Sequence, residues 1–143
     1  VQTYGYKSEN KKWKVAVENP ETSPLHEDYL GVLDITDKAV ITSGGYERYF
    51  EKDGKRYHHI LNPKNGKPAD SGLISVSIIS SDGTLADGLS TSLFIMGKQK
   101  GIKYWQKNKD KFDVVWLEND GTVTITDGIE DVFSSDFKYS VVK

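Results

Sequence analysis

Residues 73–97 change hydrophobic period within a few positions, and that change restricts the possible folds more than any other feature. Leu73-Ile74-Ser75-Val76-Ser77-Ile78-Ile79-Ser80 is rich in β-branched residues with a period of two, which marks a strand. Leu85, Leu89, Leu93 and Met96 then fall on one stripe of a helix, with Gly97 placed to end it. A strand leading into an amphipathic helix needs further strands beside it, and the rest of the chain supplies them.

Residues 1–6 alternate weakly, as an edge strand does. Residues 13–17, Trp-Lys-Val-Ala-Val, alternate strongly. Asn19-Pro20 and Ser23-Pro24 interrupt regular structure. Residues 29–36 and 39–43 flank Asp37-Lys38 and read as a hairpin. Residues 46–51 and 55–60 flank Lys52-Asp53-Gly54, where Asp-Gly is a strong hairpin signal. Residues 98–108 form a second, more polar helix carrying Ile102 and Trp105. Strands follow at 112–117, 122–126 and 137–142, the first two joined by a turn at Glu118-Asn119-Asp120-Gly121. The chain shows no internal repeat and no linker. These elements predict an α+β sandwich, a mainly antiparallel sheet with helices on one face.

At 143 residues the chain is long enough for one domain with a modest core. Three Trp, eight Tyr and five Phe argue for a packed domain although hydrophobic residues make up only 36%. A net charge of −2 with interspersed signs gives no basic stripe for nucleic acid. No apolar run approaches the length of a membrane span. The absence of cysteine removes thiol catalysis, thiolate metal sites and disulfides. Val1-Gln2-Thr3-Tyr4-Gly5-Tyr6 lacks the charged start and apolar run of a signal peptide. A chain that opens in a strand is expected to be part of a longer one.

Three polar clusters are placed to do chemistry, and each also has a structural reading. Asp87 and Thr91 lie four apart on one helix face, roughly 180° to 240° from the leucine stripe at about 100° per residue. As structure, Thr84-x-x-Asp87 fits a capping box, with the carboxylate favoured by the helix dipole. As a site, the two oxygens suit a hard cation such as Mg²⁺. The dipole opposes a cation there unless a polyphosphate brings compensating negative charge. His58 and His59 are adjacent on a strand and so point to opposite faces, which rules against one shared metal. A histidine leaving a strand just before Asn62-Pro63 is well placed as a general base, or equally as a hydrogen-bonded structural residue. His26, in a polar loop, reads as solvated. Ser43-Gly44-Gly45 ends a strand with two residues lacking Cβ, which admits a ligand or forms a plain turn. Neither a Walker A loop, a Rossmann fingerprint nor a nucleophile elbow is present.

Together and in order, the motifs resemble the ApbE family, FAD:protein FMN transferases also called thiamine biosynthesis lipoproteins. The resemblance is carried by Ser43-Gly44-x-Tyr46-x-Arg48, by Tyr57-x-His59-Ile60-Leu61-Asn62-Pro63-x-x-Gly66, and by Leu85-Ala86-Asp87-x-Leu89-Ser90-Thr91 with Met96-Gly97. Trp13-Lys14-Val15-Ala16-Val17 is similar to that family's strand after its Gly-Gly-Asp/Asn turn. The resemblance implies a T-fold-like sandwich and Mg²⁺-dependent transfer of FMN from FAD to a threonine hydroxyl of an acceptor protein. It implies Asp87 and Thr91 as magnesium ligands, His59 as the catalytic histidine, and Ser43, Gly44, His59 and Ile60 against the flavin nucleotide. It further implies an extracytoplasmic bacterial lipoprotein, held to the cell membrane by an N-terminal lipid anchor outside these residues. The family often has Asp or Asn where this chain has Gly45. Residues 1–143 correspond to the C-terminal part of such a domain, so alone they are expected to bind FAD weakly and to transfer nothing. A Mg²⁺-dependent FAD pyrophosphatase and a non-catalytic flavin-binding domain are the competing readings.

Overall fold

The structure, a computed structural model, describes residues 1–20 and 29–143. The second proline break and His26 lie outside the described residues. Ten strands run β1 (Trp13–Glu18), β2 (Tyr29–Ile35), β3 (Ala39–Gly44), β4 (Tyr49–Lys52), β5 (Lys55–His58), β6 (Leu73–Ser80), β7 (Asp113–Glu118), β8 (Val123–Thr126), β9 (Phe133–Ser134) and β10 (Tyr139–Val142). The helices α1 (Gly83–Met96) and α2 (Lys98–Gln106) sit between β6 and β7. A 3₁₀ turn, Asp127–Ile129, follows β8.

Three layers result. A five-stranded sheet in the order β10-β8-β7-β6-β3 forms the centre. Its pairings are antiparallel except for β10, which runs parallel to β8. Period two sends Val76, Ile78, Val114 and Trp116 to one face, where they meet Leu89, Leu93 and Phe94 of α1 and Trp105 of α2. It sends Ile79, Val115, Leu117 and Ile125 to the other face, against Val15, Val17, Leu33 and Ile35 of a second sheet, β1-β2-β9. The α+β class is as expected. The second sheet covers the face opposite the helices, and β6, paired on both edges, is therefore buried on both faces.

Three expectations are corrected. β2 and β3 are not a hairpin: β2 pairs with β1 and β9, and β3 pairs with β6. The link through Asp37 changes sheets, so Leu33, Ile35 and Val40 fill the same core between them. Residues 1–6 make an isolated bridge, Gln2 to Ala39, in place of an edge strand, and Gly5 at φ 52° bends the chain away. The Thr84–Asp87 capping box is not formed. Asp82 is the N-cap, its carboxylate accepting the Leu85 amide at 3.0 Å, and Asp87 falls in the second turn. The β4–β5 hairpin does form, with Asp53 and Gly54 both at positive φ as its two-residue turn requires.

Candidate functional site

Helix α1 buries Ala86, Leu89, Ser90, Leu93 and Phe94, a stripe at i, i+3, i+4, i+7 and i+8. Leu85 and Met96, expected on the stripe, lie at its half-buried margin. Ser90 is the polar exception, wholly buried in a stripe of carbon. Its hydroxyl donates to the Asp87 carbonyl at 2.9 Å. Ser43, on the helix-facing side of β3 with Ala39 and Ile41, reaches both Ser90 Oγ at 2.8 Å and Thr91 Oγ1 at 3.0 Å.

A hydroxyl carries one proton, and this fixes the direction of the chain. Ser90 spends its proton on the Asp87 carbonyl, so Ser43 donates to Ser90. Ser43 has then spent its own, so Thr91 donates to Ser43. Thr91 Oγ1 is left with lone pairs free on the solvent side, beside the exposed Asp87 carboxylate. That is the donor set a hard cation takes. Among the described residues no group of three or more His, Asp or Glu could hold a metal. Mg²⁺ is commonly held by one or two carboxylates plus substrate phosphates, and one carboxylate with hydroxyl support fits that pattern. Asp87, freed of any capping role, has no structural task competing with this one.

The adjacent histidines have separate partners, His58 as the last residue of β5 and His59 just past it. His58 Nε2 bonds the Ala69 carbonyl at 3.0 Å, and its ring meets Phe94 of α1 edge-on at 5.6 Å between centroids. His59 is exposed. Its Nδ1 lies 3.2 Å from the Arg48 carbonyl, and its backbone amide donates to the same oxygen at 3.1 Å. A carbonyl only accepts, so Nδ1 carries a proton, and Nε2 is the nitrogen that can serve as a base.

Of the other residues singled out by the sequence, Gly44 is buried at the end of β3, where a Cβ would strike the Tyr46 ring and come to 3.0 Å from the Ile74 carbonyl. Ile60 is a core residue, 4% exposed, and its carbonyl accepts the Ala69 amide at 2.9 Å. The structure thus joins Ser43 to Thr91 directly. It sets His59 one residue past β5, whose last residue, His58, packs on the same helix at Phe94, three residues beyond Thr91.

Sequence reasoning gave no role to Tyr46, Ser71 or Ser90. Tyr46, His58 and Ser71 line a cavity of about 780 Å³ together with Arg56, Lys67 and Asp70. Among the described residues, His58 Nδ1 and Ser71 Oγ are enclosed without a hydrogen-bond partner. Burial first, then the carboxylates of Glu18 and Glu47, push the Tyr46 hydroxyl up to about 12. A serine inside an apolar helical stripe was the one available signal for Ser90.

Fold and site define an α+β sandwich that presents a carboxylate–hydroxyl pair on one helix and a free imidazole nitrogen on a nearby hairpin. The chain belongs to the ApbE family, whose model matches residues 1–116. It is 31% identical over 138 residues to the FAD:protein FMN transferase of Vibrio cholerae, covering 96% of this chain and 39% of that one. With the FAD:protein FMN transferase of Klebsiella pneumoniae it shares 36% identity over 115 residues, covering 80% of this chain and 35% of the relative. Among solved structures it is similar to the ApbE protein of Thermotoga maritima, with a TM-score of 0.74 and 35% identity over 90% of this chain and 40% of that one. It is also similar to the apo flavinyl transferase ApbE of Pseudomonas stutzeri, with a TM-score of 0.71 and 30% identity over 94% and 41%. The chain therefore spans about two fifths of the length of the relatives it matches.

Proposed function

We propose that this chain is the C-terminal part of a flavin transferase that moves FMN from FAD to a threonine hydroxyl of an acceptor protein. The observation that carries the reading is the hydroxyl chain Thr91–Ser43–Ser90, which leaves Thr91 lone pairs turned outward beside Asp87. In this reading Asp87 and Thr91 would hold Mg²⁺, and Ser43 fixes the Thr91 rotamer. The metal supplies charge neutralisation for the pyrophosphate oxygens. That charge also answers the opposition of the helix dipole, because the phosphates arrive with the cation. His59 Nε2 takes the proton of the threonine hydroxyl as its oxygen attacks the phosphorus on the riboflavin side. The bond from that phosphorus to the bridging oxygen breaks, and AMP leaves. Ser43, Gly44 and Ile60 lie against the nucleotide. The resemblance also supports an extracytoplasmic protein held at the membrane by a lipid; no described helix is long and apolar enough to cross one.

The test uses the full-length protein with FAD, Mg²⁺ and an acceptor domain bearing a threonine. Mass spectrometry should find FMN on the acceptor threonine. Free FMN without an adduct would point to the pyrophosphatase, and intact bound FAD with neither product to a binding domain.

A further inference from the structure

We infer that His58 is a positioning residue: it sets where His59 stands relative to the Asp87–Thr91 face, and Gly45 is the residue that admits it. The inference rests on the transferase reading above, because that reading gives His59 its task.

The β4–β5 hairpin needs such an anchor. Among the described residues its strands pair with each other and with no third strand. Every residue of β4 is exposed. A two-stranded hairpin is marginally stable on its own. The bonds that fix the His59 ring do not help, because Arg48 belongs to the root of the same hairpin. Both His59 bonds to the Arg48 carbonyl travel with the arm. They set the tautomer, not the position.

His58 reaches beyond the arm to three places at once. Its Nε2–H donates to the Ala69 carbonyl at 3.0 Å. Its ring stands edge-on to Phe94 at 86°, three residues past Thr91 on α1. Its other neighbour is Gly45, two residues past Ser43, where a Cβ would fall 2.8 Å from His58 Cδ2 and 3.1 Å from Cγ. Real Cβ atoms do not approach that closely, and a ring held by Phe94 and Ala69 has little room to yield. His58 therefore touches a neighbour of each residue in the Ser43–Thr91 pair and is bonded in sequence to His59. The absence of a side chain at position 45 is what this packing requires.

The experiment uses the full-length protein with FAD, Mg²⁺ and acceptor, reading both FMN transfer and FAD cleavage. His58→Ala should lower kcat by roughly a hundredfold, the scale of a misplacement near 1 Å, with KM for FAD within about threefold. His58→Gln puts an amide N–H near the Nε2 position and should recover most of that loss, whereas His59→Gln should not. The pH–rate profile of His58→Ala should keep the wild-type shape, because His59 remains the base and the Arg48 carbonyl still fixes its tautomer. Gly45→Ala should lower kcat in the same way, and His58→Ala with Gly45→Ala should be no worse than His58→Ala alone. Additive losses, an inactive His58→Gln that still folds, or an unchanged kcat in His58→Ala would each overturn the inference. A changed profile shape would too, by making His58 the base. Wild-type FAD cleavage without transfer would overturn the transfer reading alone, with His58 then judged on cleavage. No turnover of FAD by the wild type would overturn both.

Discussion

The seam between α1 and β3 and the β4–β5 hairpin carry the two halves of the proposed site, and they are held by different means. The seam is built into the core. Ser43 and Ser90 are hydrogen-bonded across it, and α1 packs its whole apolar stripe onto the central sheet. Its polar face can be preorganised at no further cost, which charge stabilisation requires. Among the described residues the hairpin strands pair only with each other, and the arm is tied to the domain through His58. Phe50, 62% exposed, stacks on Tyr57 within the arm, and Arg56 lies 4.1 Å from the Tyr49 ring centroid. Such contacts stiffen the arm without fixing its position. The cation face of the proposed site is thus fixed by the core, whereas the proposed base depends on the His58 anchor and on Ile60, the core residue that follows it.

The difference can be broken from either side. The largest effect is expected at Asp87. Asp87→Ala removes the carboxylate this chain gives to the proposed cation site, and the loss of several kcal/mol of charge stabilisation should lower metal-dependent turnover about a thousandfold. The melting temperature should barely change, because the side chain is exposed and caps nothing. His59→Gln comes next. It removes the base and should cost about a hundredfold in transfer, with FAD binding retained, measurable by equilibrium dialysis.

Ser43→Ala is a smaller probe and tests the seam alone. It breaks the hydroxyl chain, leaving Thr91 without its acceptor. About 1 kcal/mol of stability should be lost, and the Mg²⁺ concentration for half-maximal activity should rise severalfold. Tyr46→Phe is the smallest, and it separates packing from chemistry. The Tyr46 hydroxyl is raised from 10.0 to about 12 in the folded chain, so the unfolded chain loses its proton first. Stability should therefore fall as pH rises from 10 and level off near 12. Denaturant melts of Tyr46→Phe should lack that component and match the wild type at neutral pH.

The layer order was only partly legible in the sequence. The β6–α1 period change located the helix and its face, because burial on one side leaves a 3.6-residue signature. The hairpin at Asp53-Gly54 was legible because a turn with two positive φ values selects its residues. The partners of β2 and β3 were not, since a short link between two alternating strands looks the same whether it closes a hairpin or crosses between sheets. β9 escaped notice because two residues are too short for any period. In the site, the Asp87–Thr91 spacing was legible, but its meaning changed once Asp82 proved to be the cap. Ser90 and the His58–Gly45 contact depend on tertiary packing, which spacing along the chain does not encode.

The most direct test is cation binding by the full-length protein with FAD bound, using Mn²⁺ as a spectroscopic stand-in for Mg²⁺. Electron paramagnetic resonance should show one FAD-dependent Mn²⁺ site in the wild type and none in Asp87→Asn, which keeps the shape of the side chain and removes its charge. An Asp87→Asn protein that binds Mn²⁺ with wild-type affinity would contradict the cation role of the α1 face.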